Sequence, residues 1–370
     1  MENLKALSYI SKKFKIPLKD IGYCGLKDRH AITLQYITLP TKYGVISLNE
    51  ENLKVGYLKT IGNPLKLGQL MGNKFKITLR NIKRENFLKI GDNLRNLHLG
   101  VPNYYDNQRF GSVFQNRIFI AKEYMMENYE DALKIILTKY KKSENKRIKD
   151  LKRYINENWG HWESILRYIK NNKIKNKMFV NIIKYLNNGD KDNNSPKGDY
   201  EERFKGAFKY VDNRLKKLFV LAYQSYLWNE SIKSLLKSYI PKEDRVYVDY
   251  NCGSLLIYKN IDEDILHTLK NKTFPTITHD INLNNFEEDY NKIIKSILKK
   301  EGLKIGDFNK LKDFSNPSYS ERIIISIPEN ISYGKFLKDE LNRGKYKITM
   351  EFQLKKGSYA TMIIKRIMMV

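Results

Sequence analysis

The sequence predicts an α+β fold in which a strand-rich domain is assembled from both ends of the chain around an inserted, mainly helical one. Three observations carry that reading. Apolar residues alternate at period two near each end; between the ends they recur at helical spacing. The length of 370 residues suits two domains at the usual ~100–200 residues each.

Taken in order, residues 3–15 place Leu4, Leu7, Ile10 and Phe14 close to helical spacing, and Pro17 ends the run, so one short helix is expected. Ala31–Leu39 is rich in strand formers. Asn73–Arg80 alternates cleanly, with Phe75, Ile77 and Leu79 on one face and Lys76, Thr78 and Arg80 on the other, as a half-buried strand does. The middle changes character: Val211, Leu215, Leu218, Ala222, Tyr226 and Asn229 follow a helical period, and Lys141–Arg153 is dominated by basic residues. Asn187–Glu202 is polar, contains Gly and Pro, and reads as an exposed loop. Near the C-terminus Ile348, Met350, Phe352 and Leu354 restore period two; Lys356-Gly357 makes a turn, and Ser358–Met369 is expected to return as another apolar strand.

Composition narrows the partners. Lys+Arg number 68 against 41 Asp+Glu, a net charge of +27, which favours a polyanion, nucleic acid first, through counterion release. The bland alternative is a well-solvated surface. Abundant Lys, Asn, Ile and Tyr suggest an AT-rich coding bias, but that bias would enrich Asp and Glu as well and does not explain the imbalance. Cys24 and Cys252 stand far apart with no companion at metal-ligand spacing, which points to a reducing, cytoplasmic interior. The first twenty residues are broken by lysines, and no run of about 18 apolar residues follows, so neither signal peptide nor membrane anchor is expected. His30, His98, His161, His267 and His279 form no metal motif.

The run from Gly22 to Gln35, GYCGLKDRHAITLQ, sets Asp28 on a glycine-containing turn ahead of the first strand-like stretch. An exposed, positioned carboxylate results. Read alone, it is first of all an ordinary turn aspartate bonding nearby amides. Phe75 alone would be a core residue of an alternating strand and Asn73 a turn residue. Trp228 in QSYLWNE is expected in the core, and the Lys141–Arg153 run serves equally as a solvated helix face or an RNA-binding stripe.

GLKDRHAITLQ resembles the G-L-K-D-R-x-A-x-T-x-Q signature of TruD pseudouridine synthases. Four further stretches resemble the same family in the same order: LKLGQLMGNKFKITLR (Leu65–Arg80), GVPNYYDNQRFG (Gly100–Gly111), LAYQSYLWNE (Leu221–Glu230) and FQLKKGSYAT (Phe352–Thr361). The resemblance implies a pseudouridine synthase-type catalytic domain with an antiparallel or mixed sheet, built from 1–101 and 320–370. A mainly helical TruD-type domain, 102–319, is inserted in it. It implies isomerisation of uridine to pseudouridine in tRNA, at position 13 in the family's name-giving reaction, with Asp28 as nucleophile. It places Asn73 beside the acid to position it and Phe75 on the target base, which must be extruded at a cost of a few kcal/mol. Lys27 and Arg109 are the basic residues expected to meet the substrate, the latter with the aromatics of PNYYDNQRFG; a packed turn is an equal account of that stretch. Tyr359 is expected to support the site without reacting. A carboxylate can attack or deprotonate the nucleoside, and the sequence leaves the route open. No redox change or external group is involved, so no cofactor and no metal are required. The expected partner is tRNA, with no membrane and no obligatory protein. The runner-up is a non-catalytic RNA-binding or RNA-chaperone protein on the same scaffold.

At one point the chain departs from the family pattern. Members usually carry a segment before the first helix that adds extended structure to the catalytic sheet and a basic residue near the nucleophile. Here Met1–Asn3 alone precede Leu4. The expectation is that this form is truncated or its start misplaced, and that one extended upstream is more soluble and more active.

Overall fold

The computed structural model describes residues 2–28, 31–113, 117–142, 144–189 and 200–369. The chain opens with helix α1 (Asn3–Lys13), which buries Leu7 and Ile10 at the predicted spacing and ends in Lys12 and Lys13, cations that suit a helix C-terminus. Four short strands follow as two antiparallel pairs: β1 (Gly22–Tyr23) with β2 (Ile37–Thr38), and β3 (Leu48–Glu50) with β4 (Leu53–Val55). Leu7, Ile10, Ile16 and Ile21 form a small core of their own, distinct from the main one.

The long strand β5 (Gly72–Ile82) leads to α2 (Phe87–Arg95) and β6 (Val101–Pro102). Helices then dominate: α3 (Ile120–Met125), α4 (Tyr129–Thr138), α5 (Lys146–Glu157), α6 (Trp162–Asn171), α7 (Lys177–Gly189), α8 (Tyr200–Ala207) and the 27-residue α9 (Asn213–Tyr239). Next come the hairpin β7 (Arg245–Tyr250) and β8 (Gly253–Tyr258), α10 (Glu263–Asn271), β9 (Thr273–Pro275), α11 (Glu288–Glu301) and α12 (Lys312–Ser315). The chain closes through β10 (Glu321–Ile323), β11 (Ile325–Ser326), β12 (Glu329–Tyr333), β13 (Leu337–Lys338), β14 (Tyr346–Lys355) and α13 (Ala360–Ile367). Among the described residues no helix is long and apolar enough to cross a membrane.

The principal sheet joins the two ends of the chain. β5 pairs antiparallel with β14 along almost its whole length, Asn73 opposite Leu354 and Phe75 opposite Phe352. β12 and β13 occupy the other edge of β14. The period-two residues Ile348, Met350, Phe352 and Leu354 all face the main core, which continues without a break into the helical middle through Trp228, Tyr223 and Phe274.

Three expectations change. Ser358–Met369 is not a strand: after the Gly357 turn, at φ +86°, residues 360–367 form α13 and bury Met362, Ile363, Arg366 and Ile367 along one helical face. A returning strand would find no place, because both edges of β14 are already paired. In Ala31–Leu39, Ile37 and Thr38 alone join a ladder, since their partner is the two-residue β1; Ile32 and Leu34 stand exposed. Of the polar run Asn187–Glu202, α7 takes the start and α8 the end, and 190–199 lie outside the described residues. The basic run Lys141–Arg153 largely becomes α5, where Lys152 is buried and paired with Glu144 at 2.9 Å.

Candidate active site

The loop that carries Asp28 is fastened before it reaches the acid. A side chain at Gly22 would begin 2.4 Å from Thr38 Oγ1 and 2.5 Å from the Leu65 carbonyl oxygen, so this close approach admits glycine alone. The Leu65 N–H donates to Thr38 Oγ1 at 3.0 Å, and the Gly68 N–H donates to the Cys24 carbonyl at 3.1 Å. The 65–71 segment is tied in turn to the end of β14: the Lys356 N–H donates to the Met71 carbonyl at 2.8 Å and Lys356 Nζ to the Gly68 carbonyl at 2.5 Å. At Gly72 a Cβ would lie 2.4 Å from the Leu354 carbonyl oxygen. Segments from three remote parts of the sequence are thereby held against one another.

Within this frame the Lys27 ammonium donates to Asn73 Oδ1, at the start of β5. Asp28, the next residue, is exposed. Asn73 therefore holds the cation that neighbours the acid in the chain. Phe75 stands two residues along β5 on the same face as Asn73, half-buried, its ring 5.5 Å from that of Phe352 at an interplanar angle of 30°. The structure thus brings Lys27, Asn73 and Phe75 onto one end of the β5–β14 ladder, with Asp28 next to Lys27 in the chain.

Arg109 belongs to a second cluster. Asn229, fully buried on α9, clamps the backbone of Tyr105: the Tyr105 N–H donates to Asn229 Oδ1 at 2.9 Å, and Asn229 Nδ2 donates to the Tyr105 carbonyl at 2.8 Å. The Tyr105 ring meets Trp228 edge-on at 5.6 Å and Tyr359 at 6.2 Å. Two guanidinium carbons lie over it, Arg109 at 5.1 Å and Arg322 at 4.3 Å. Trp228 is core, as expected, and its indole N–H donates to the Phe274 carbonyl at 3.0 Å. Three of the motif stretches, around Tyr105, Trp228 and Tyr359, converge here. Arg322 was missed in the sequence because SYSERIII carries no motif; contact with three aromatic rings is what distinguishes it.

The two clusters are linked by the turn after β14. Leu354 pairs with Asn73, and Gly357 and Tyr359, just beyond, border Arg322. A surface depression of about 560 Å³ lies elsewhere, lined by Asn145, Arg147, Ile148 and Lys173–Asn176 and by none of these site residues. Among the described residues no group of three or more His, Cys, Asp or Glu side chains is placed to hold a metal ion.

Known proteins resemble this chain over nearly its whole length. The family model of TruD, tRNA pseudouridine synthase D, matches residues 1–367. "Probable tRNA pseudouridine synthase D 1" of Methanococcus maripaludis is 57% identical over 99% of this chain and 90% of its own length. "Probable tRNA pseudouridine synthase D 2" of Methanocaldococcus jannaschii is 56% identical over 99% of this chain and 83% of its own. The crystal structure of a TruD protein from Methanosarcina mazei superposes with a TM-score of 0.67 at 22% identity, covering 100% of this chain and 85% of that one, which shows the shared fold. The chain belongs to the TruD family of tRNA pseudouridine synthases.

Proposed function

We propose that Asp28 is the nucleophilic carboxylate with which this tRNA pseudouridine synthase, an isomerase, converts uridine to pseudouridine, at position 13 of tRNA. The reaction breaks the bond between the ribose and N1 of the base and makes one to C5. N1 gains a proton and C5 loses one, so nothing is oxidised and no group is donated from outside. What the protein must supply is a carboxylate to attack or deprotonate the nucleoside, a partner for the base while it is detached, and a fixed geometry. Asp28 is exposed and reachable, Lys27 is anchored to Asn73, and Phe75 offers a half-open ring on the same ladder. Extruding the base costs a few kcal/mol, and stacking on Phe75 offsets part of that. The observation that carries the reading is the Lys27–Asn73 hydrogen bond, which ties the acid's loop to the strand bearing Phe75.

Arg109, which lies over the buried Tyr105 ring, contacts the RNA beside this site. On the same reading 1–101 and 320–370 form the catalytic domain and 102–319 the inserted one. In support, β5 and β14 pair across some 270 residues of sequence, Phe75 with Phe352 among them. RNA lies in the cleft between the two. The enzyme works in the cytoplasm on tRNA and needs no obligatory protein partner.

Asp28→Asn tests the proposal, since it keeps the size of the side chain and removes its charge. Pseudouridine formation in a tRNA transcript, mapped chemically, should vanish while tRNA affinity stays within about tenfold, or ~1.4 kcal/mol. Appreciable turnover by the purified variant would remove Asp28 from this role, and modification at another position would correct the assigned site.

A further inference from the structure

Arg322 is a partly enclosed cation. Among the described residues its guanidinium meets no carboxylate: Nε donates to the Asn103 carbonyl at 2.7 Å and Nη2 to Asn103 Oδ1 at 2.8 Å. Around it stand the rings of Tyr105, Trp228 and Tyr359, at 4.3, 5.4 and 5.4 Å. Other arginines resolve their charge differently. Arg80 pairs with Asp339 and Glu340, and the buried Arg366 donates to the carbonyls of Tyr258, Asn96 and Lys259. Arg322 Nη1 donates to no carbonyl or carboxylate among the described residues, and the Tyr105 hydroxyl is a hydrogen-bond partner of the guanidinium. Nη1 faces Gly357, where an added Cβ would sit 3.6 Å away and cover it.

A second cation shares the ring. Arg109, also without a carboxylate partner among the described residues, lies over Tyr105 at 5.1 Å. Burial lowers the pKa of Arg322, and the nearby charge of Arg109 acts in the same direction, against the opposing pull of the Tyr105 and Tyr359 hydroxyls. Two like charges gathered on one ring, neither paired with a carboxylate among the described residues, leave an electrostatic deficit that a ligand anion would relieve. The planar fork of arginine matches the oxygens of a phosphate.

We propose that Arg322, with Arg109, binds one backbone phosphate of the RNA strand next to the nucleotide being modified. This deepens the reading of the chain as an enzyme acting on tRNA and rests on it. The location supports a flanking nucleotide: Gly357, which borders Arg322, is three Cα steps from Leu354, the ladder partner of Asn73, a span of at most about 11 Å. Asn103 holds the fork in place and Tyr105 backs it, so the site is built before the RNA arrives. Arg322 is a substrate-positioning residue and takes no part in the bond changes.

The test uses the full chain and an unmodified tRNA transcript, with dissociation constants measured across a range of salt concentrations. Arg322→Met should weaken binding about tenfold and flatten the log–log salt slope by about one unit, the signature of one lost phosphate contact. KM should rise more than kcat falls, because the contact is made before and during reaction. Arg322→Lys should restore the slope but only part of the affinity, since a point charge lacks the fork. Arg109→Met should flatten the slope too, and the double variant should lose no more slope than Arg322→Met alone, as both cations serve the same phosphate. A folded Arg322→Met protein with unchanged slope overturns the proposal, whether or not affinity falls. If thermal unfolding shows that Arg322→Met does not fold, the slope of Arg109→Met decides, and no change there overturns it. Failure of the functional reading is separate: wild-type protein that binds with the Arg322-dependent slope yet forms no pseudouridine refutes the activity and leaves the phosphate site standing.

Discussion

Phe75 has the two faces that the proposed double role, strand packing and base stacking, requires. Its position in β5 turns it toward Phe352, which is fully buried, but the two rings meet at 30° with centroids 5.5 Å apart, and Phe75 remains half-exposed. An aromatic ring held on one side and open on the other is suited to receive a flat base. Phe75→Leu separates the two roles, because leucine preserves most of the apolar packing and lacks the π-face. The variant should melt within a few degrees of wild type and form pseudouridine at least about tenfold more slowly, a loss of ~1.4 kcal/mol of transition-state stabilisation. A rate equal to wild type would return Phe75 to a purely structural part. At this scale the sequence was informative in a particular way. Lys27, Asp28, Asn73 and Phe75 were identified by their order in two motifs, yet the Lys27–Asn73 bond joins residues 46 apart and depends on the tethers at Gly22 and Gly68.

Among the elements, β14 organises its surroundings because both of its edges are used. One consequence is α13, whose run of Ile and Met residues is compatible with a strand or a helix and becomes a helix once no sheet edge is left for it. Another lies at the far end of the ladder, where the register slips between Tyr346 and Ile348 and Asn81 takes a left-handed φ of +59°. The amide turned aside there is received by Asp339, which accepts from the Asn81 N–H at 2.9 Å, the Leu341 N–H at 3.1 Å, Asn342 Nδ2 at 2.8 Å and Arg80 Nη1 at 2.7 Å. Enclosure acts to raise the Asp339 pKa, but these donors outweigh it and hold the carboxyl well below the usual carboxylate range. A carboxyl depressed in the folded state adds stability that is present above its unfolded pKa of about 3.9 and disappears as the pH falls through the folded value. Asp339→Asn should therefore lower the thermal midpoint clearly at pH 7. The gap to wild type should narrow as the pH is brought from about 4 toward 2. A gap independent of pH in thermal melts would mean that the charge of Asp339 contributes nothing and that only its shape matters.

For the whole molecule, the net charge of +27 is the dominant long-range feature. Part of it is spent internally, as in the Lys152–Glu144 and Lys122–Glu301 pairs, but many lysines stand exposed. Binding to a tRNA transcript should weaken steeply with salt, by roughly 0.9 log units per log unit of salt for each duplex phosphate contacted and by about 0.7 for single strands. A flat dependence between low and physiological salt would show that the basic excess is not an RNA footprint. Apolar residues of β14 and of α9 belong to one continuous core, whereas Leu7, Ile10, Ile16 and Ile21 form a separate small one that ends at the start of the segment leading to Asp28.

By itself the sequence determined what depends on local pattern and on motif order. These are the period-two strands at Asn73–Arg80 and Ile348–Leu354, the first helix, the helical middle, the basic excess and the family kinship. The tertiary structure alone decided what depends on who is already paired. Ser358–Met369 had to become a helix because β14 had no free edge, and Ala31–Leu39 pairs at two residues because its partner strand is two residues long. Arg322 stands out only in space, since the rings of Tyr105, Trp228 and Tyr359 reach it from three remote parts of the sequence. Side-chain period is a local property of the chain; edge occupancy and the gathering of charge are properties of the fold.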